Sequence, residues 1–152
     1  MGLFQRACWL AALACAGTCA IAADNASTPT DIRFRDFFAS PIGPRGLQIN
    51  PSLQAANGKH VRLTGYMVAQ EDSVAGRFLL TPMPIRMSEH ADGEADDLPP
   101  ATVAVEMPLQ DRARLLPHTP GLLQLTGVLQ VGRHELPDGR IVWVRLLLDP
   151  KS

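Results

Sequence analysis

The chain has 152 residues, room for one ordinary domain core and not for two. Its 15 acidic and 14 basic residues nearly cancel, for a formal charge of −1 with His neutral, and loss of Arg6 with a leader makes the remainder one unit more negative. The basic residues are almost all arginine and are scattered along the chain, which argues against a nucleic-acid backbone partner and against a polybasic membrane patch.

Residues 1–22 read as a cleaved secretory signal peptide. A polar start carries Arg6, an apolar run extends from Ala7 to about Ala14, and small residues lead to Ala20-Ile21-Ala22. The run is shorter than the roughly 20 residues a membrane-crossing helix needs, so the mature chain is expected to have no transmembrane segment and to be periplasmic or secreted. Cys8, Cys15 and Cys19 all lie in the leader, so cleavage removes disulfides, thiolate metal sites and cysteine nucleophiles together. Acylation at Cys15, within a poor lipobox match at Ala12-Leu13-Ala14-Cys15, is the alternative fate.

Residues 23–30 are small and polar and are expected to form a flexible tether ahead of a single domain at 31–152. Ile32, Phe34, Phe37 and Phe38 then gather three of the five phenylalanines into a cluster that is expected to dock on the core. A short helix is marked at Asn50 to Gly58: Asn50 can cap it, Pro51 suits its first position, and Gly58 suits the left-handed residue beyond its end.

From Val61 onward the apolar residues alternate, with the period of two of a half-buried strand. Val61, Leu63, Gly65, Met67 and Ala69 share one face of the first strand. Phe78 and Leu80 mark a second strand at Arg77–Thr81, and Val103, Val105 and Met107 a third. Leu123, Leu125, Gly127, Leu129 and Val131 mark a fourth, and the turn dipeptide Asp138-Gly139 joins it to a fifth at Ile141–Leu148. Between the third and fourth strands, Pro108 to Leu116 has the composition of a short helix that Pro117 would stop.

Gly65 and Gly127 each stand in the tripeptide Leu-Thr-Gly on the inward row of a strand, where glycine often marks the sharp coiling of a small barrel. Five strands with a helix after the third is the order of the OB-fold. The fold class expected is therefore mostly β, a small five-stranded OB-like barrel with a short helix between strands three and four, and a β-sandwich is the main alternative.

Gly58 to Val68, then Phe78-Leu79-Leu80, then Leu98-Pro99-Pro100 leading to Val103-Ala104-Val105, resemble a family of exported bacterial proteins of unknown function. That resemblance spans roughly residues 58–148 and implies an envelope location and an OB-like core. The chain departs from family members that carry a cysteine-histidine segment before the prolines, having Glu89-His90-Ala91-Asp92 there.

Two sets of residues are candidates for binding. In the connection from Pro82 to Pro100, Met83, Met87 and His90 offer the soft and imidazole ligands that copper(I) accepts, while His90, Asp92, Glu94, Asp96 and Asp97 offer harder ones. Tyr66, Trp143 and Arg145 are candidates for a ligand or partner face, Trp143 and Arg145 sharing one side of the last strand with Ile141 and Leu147. The sequence carries no nucleophile elbow, P-loop, zincin motif or dinucleotide fingerprint. The expected role is a non-enzymatic accessory or binding module for an envelope protein or a small ligand, with copper handling as the alternative and no nucleic-acid partner.

Overall fold

The computed structural model describes residues 28–70, 72–87 and 98–150. The leader with its expected cleavage site and three cysteines lies outside the described residues, as does the centre of the 82–100 connection. The protein is mostly β, with strands β1 (Thr30–Ile32), β2 (His60–Met67), β3 (Arg77–Thr81), β4 (Val103–Glu106), β5 (Leu122–Glu135) and β6 (Ile141–Leu148). Among the described residues helix is confined to α1 (Pro51–Ala55) and two single 3₁₀ turns, Phe34–Asp36 and Leu109–Asp111. Among the described residues no helix is long and apolar enough to cross a membrane.

The strands form one sheet in the order β1-β2-β3-β4-β6-β5, and β5 pairs a second time with β2. The pairing therefore runs from β2 through β3, β4, β6 and β5 back to β2. Two neighbour pairs are parallel, β1 with β2 and β4 with β6; the others are antiparallel. The alternating residues line the enclosed side: Val61, Leu63, Leu80, Val103, Val105, Leu129 and Leu146 are fully buried in one cluster. A smaller cluster of Val68, Leu79, Ala104, Leu136 and Val142 lies apart from it, and Ile85, Met87 and Leu98 from the two ends of the 82–100 connection pack against it. That is why both faces of β3 are buried although its neighbour β2 alternates.

Two expectations from the sequence are corrected here. Thr30, the last residue of the expected tether, opens an additional strand, β1, whose Thr30, Asp31 and Ile32 align with Val61, Arg62 and Leu63. Three residues are too few to show a period, and the pairing is set from outside the segment by β2, with Arg62 Nη1 donating to Asp31 Oδ1 at 3.3 Å. The helix expected at 108–116 is a single 3₁₀ turn, Leu109–Asp111. Leu109 and Leu115 are exposed and only Leu116 packs on the core, so no apolar stripe drives a helix there. The segment is held instead by backbone bonds, with Gly76 N–H donating to Arg114 O and Met107 N–H to Gly76 O, both at 2.8 Å.

The N-terminal elements do close over the core. Phe34 and Phe37 meet with ring centroids 5.1 Å apart and join the main cluster together with Leu53 and Ala56 of the α1 region. The helix begins as its sequence implies: Asn50 Oδ1 accepts from Ser52 N–H at 3.0 Å, and Pro51 takes the first turn. Gly58 follows at φ 75°, and its N–H donates to Leu129 O at 2.8 Å, tying this cap to β5.

Gly65 and Gly127 are required by close approach. A Cβ on Gly65 would lie 2.6 Å from the Phe34 ring and 2.8 Å from Thr81 O. A Cβ on Gly127 would lie 2.1 Å from Leu147 O, where only backbone could give way. Gly127 is also where β5 changes neighbour, aligned with Val61 of β2 on one side and Leu148 of β6 on the other. Gly127→Ala is expected to lower stability by about 3 kcal/mol, the range of overpacked sites. Gly43→Ala, whose Cβ would meet nothing within 4 Å, should stay within about 0.5 kcal/mol of wild type. Urea unfolding of both variants checks this, and equal midpoints would contradict it.

Candidate functional site

The sequence-derived metal candidates have unlike surroundings. Met83 follows β3 and is 56% exposed, and its carbonyl accepts from Thr81 Oγ1 at 2.8 Å. Met87 is half-buried against the smaller cluster, where its sulfur accepts from Arg140 Nη1 at 3.4 Å and its N–H donates to Ala69 O at 2.8 Å. His90, Asp92, Glu94, Asp96 and Asp97 lie outside the described residues. Among the described residues no three His, Cys, Asp or Glu side chains converge as a metal site would require.

Tyr66, Trp143 and Arg145 do not form one face. Tyr66 is aligned with Leu122 at the start of β5, whereas Trp143 lies opposite the bulge between Val131 and His134 near its far end. About ten residues of strand separate these points, roughly 30 Å at the rise of an extended chain. Trp143 and Ile141 remain exposed on β6. Arg145 is engaged within the sheet: its Nη1 donates to Glu106 Oε1 at 3.0 Å and its Nε to Gln130 Oε1 at 2.9 Å, bridging the two strands that flank β6.

Tyr66 instead belongs to a groove of about 340 Å³ at the C-terminal end of β2. Its apolar lining comes from Met67, Ala69, Pro84, Ile85 and Pro120, and its polar lining from Tyr66, Arg86 and His118. Three separate pieces of backbone build it. Residues 84–87 run beside the end of β2 because Ala69 N–H donates to Ile85 O at 2.9 Å and Met87 N–H to Ala69 O. From the other side, His118 Nε2–H donates to Met67 O at 3.2 Å, and Thr119 N–H to the Met67 sulfur at 3.4 Å. Gly121, at φ 96°, then turns the chain into β5.

The electrostatics of the groove are one-sided. Among the described residues its lining contains no carboxylate, and Arg86 makes no ion pair with any of them. Arg86 was not legible as a site residue because no local motif surrounds it. His118 was visible only as an isolated histidine, 52 residues from Tyr66 in the chain.

No protein-family model matches the chain, and no curated protein matches it. Among solved structures, the fold is similar to that of a DUF3299 family protein from Pseudomonas aeruginosa PAO1, with a TM-score of 0.52 and 14% identity over 81% of this chain and 94% of that chain. DUF3299 designates a family of unknown function, and identity this low bears on the fold alone.

The contrast between the two β6 side chains is testable. Arg145→Ala should cost about 2 kcal/mol, because it leaves Glu106, itself mostly covered, without its charged donor. Trp143→Ala, at an exposed position, should cost less than about 1 kcal/mol. Thermal unfolding of the two variants checks the order, which a larger loss for Trp143→Ala would reverse.

Proposed function

We propose that the chain is a non-enzymatic binding module of the cell envelope, built on a five-stranded OB-like barrel. The barrel reading draws on the pairing circuit β2-β3-β4-β6-β5-β2 with β4 parallel to β6, a Greek-key arrangement that leaves β5 no open edge along its doubly paired residues. The envelope location draws on the leader pattern at 1–22.

The observation that carries the binding role is the groove at Tyr66, Arg86 and His118, concave and mostly apolar, with a few polar groups around it. Its volume falls at the small end of ligand sites, which run from about 300 to 1,000 Å³. Copper handling by Met83, Met87 and His90 ranks second, because the Met87 thioether already serves Arg140 and the smaller cluster.

The test is capture from the native envelope with the processed protein immobilised, followed by identification of both proteins and small molecules retained. Tyr66→Ala should retain the specific species at least about tenfold less than wild type, with a melting temperature within a few degrees of it. Equal retention by the two proteins would remove the groove from the binding role.

A further inference from the structure

Arg86 decides what kind of ligand the groove accepts. It sits between two residues, Ile85 and Met87, whose side chains pack against the smaller cluster, and those two anchors hold the segment beside β2. Arg86 itself is exposed, lines the groove, and has no carboxylate partner among the described residues. A guanidinium presents a planar fork of donors that matches a carboxylate in two-point contact, and the match is strongest beside apolar walls that thin out competing water. Here those walls are Met67, Pro84, Ile85 and Pro120.

Of the other polar groups, the Tyr66 hydroxyl can donate to an anion, while the Nε2–H of His118 is committed to the Met67 carbonyl. Among the described residues no acidic side chain lines the groove to repel an anion. A cationic ligand would meet Arg86 with no carboxylate among the described lining residues to offset it, and a neutral apolar ligand would leave Arg86 unused.

We infer that the groove binds a small organic carboxylate with an apolar body, its carboxylate on Arg86 and its body against Met67, Pro84, Ile85 and Pro120. This rests on the groove being the binding site proposed above. The size of the groove, about 340 Å³, favours a small molecule over a longer chain.

The test is a titration of the processed, ¹⁵N-labelled protein with 4-phenylbutyrate and with its neutral isostere 4-phenylbutanamide, followed by amide chemical shifts. The expected result is saturable shifts confined to residues 66–69, 85–86, 118–119 and 121 for the carboxylate. The amide should bind at least about tenfold more weakly, as should the carboxylate to Arg86→Gln, the loss expected for a hydrogen bond between charged groups. Arg86 is exposed, so the variant should retain the wild-type spectrum outside the groove.

Equal binding of carboxylate and amide, or unchanged affinity in Arg86→Gln, overturns the anionic class while leaving the groove as a binding site. No shifts at the groove with either probe overturns the inference, and envelope capture by wild type and Tyr66→Ala then decides separately whether the groove binds anything else. N-acetyl-Ala-Ala-Phe with a free carboxylate, compared with its C-terminal amide, distinguishes the remaining source. Carboxylate-dependent binding of that peptide without binding of 4-phenylbutyrate would replace the small molecule by a peptide terminus.

Discussion

Everything else in the fold depends on the close passage of β5 and β6 at Gly127. At this residue the long strand is paired on both sides, with Val61 and with Leu148, and the carbonyl of Leu147 occupies the space a side chain would need. A β-strand of 14 residues can serve two neighbours in succession only if it coils between them, and the local steric demand falls on the residue at the crossover. Because β5 is held at both ends, its start is fixed against Tyr66 and its end against Ile141. The groove lies beside Tyr66, where the end of β2 is held by pairing with the start of β5, which suits a preformed site.

The N-terminal extension and the 82–100 connection complete the structure in different ways. Phe34 fills the space that Gly65 leaves open and, with Phe37, Leu53 and Ala56, covers the main cluster. Ile85, Met87 and Leu98 cover the smaller cluster on Leu79 and Ala104. The first arrangement turns an aromatic tail into core. The second lays residues 84–87 beside the end of β2, with Ile85 and Met87 anchored and Arg86 left facing solvent and the groove.

Alternation made β2, β3, β4, β5 and β6 legible, since each buries one row against the main cluster, and the Asn50-Pro51 and Asp138-Gly139 signals marked α1 and the last turn. These are local effects of burial, capping and turn geometry. The extra strand β1 was not legible because three residues hold no period. The segment at 108–116 read as helix from composition, although Leu109 and Leu115 have nothing to pack against. Tyr66 lines the groove, whereas Trp143 and Arg145 lie away from it, a separation set by the strand order, which puts β6 and β2 on opposite sides of β5. Arg86 and His118 join Tyr66 only through backbone contacts between distant segments, and no spacing in the chain encodes those.

The central claim is that β5 closes the sheet by pairing on both sides at Gly127. Cross-strand nuclear Overhauser effects in the labelled protein measure this directly. The expected result is a set of contacts from Gly127 to both Val61 and Leu148, with slow amide exchange along β5 on either side of it. Contacts from Gly127 to only one of the two, with the facing strand edge exchanging freely, would show an open sheet and contradict the closure.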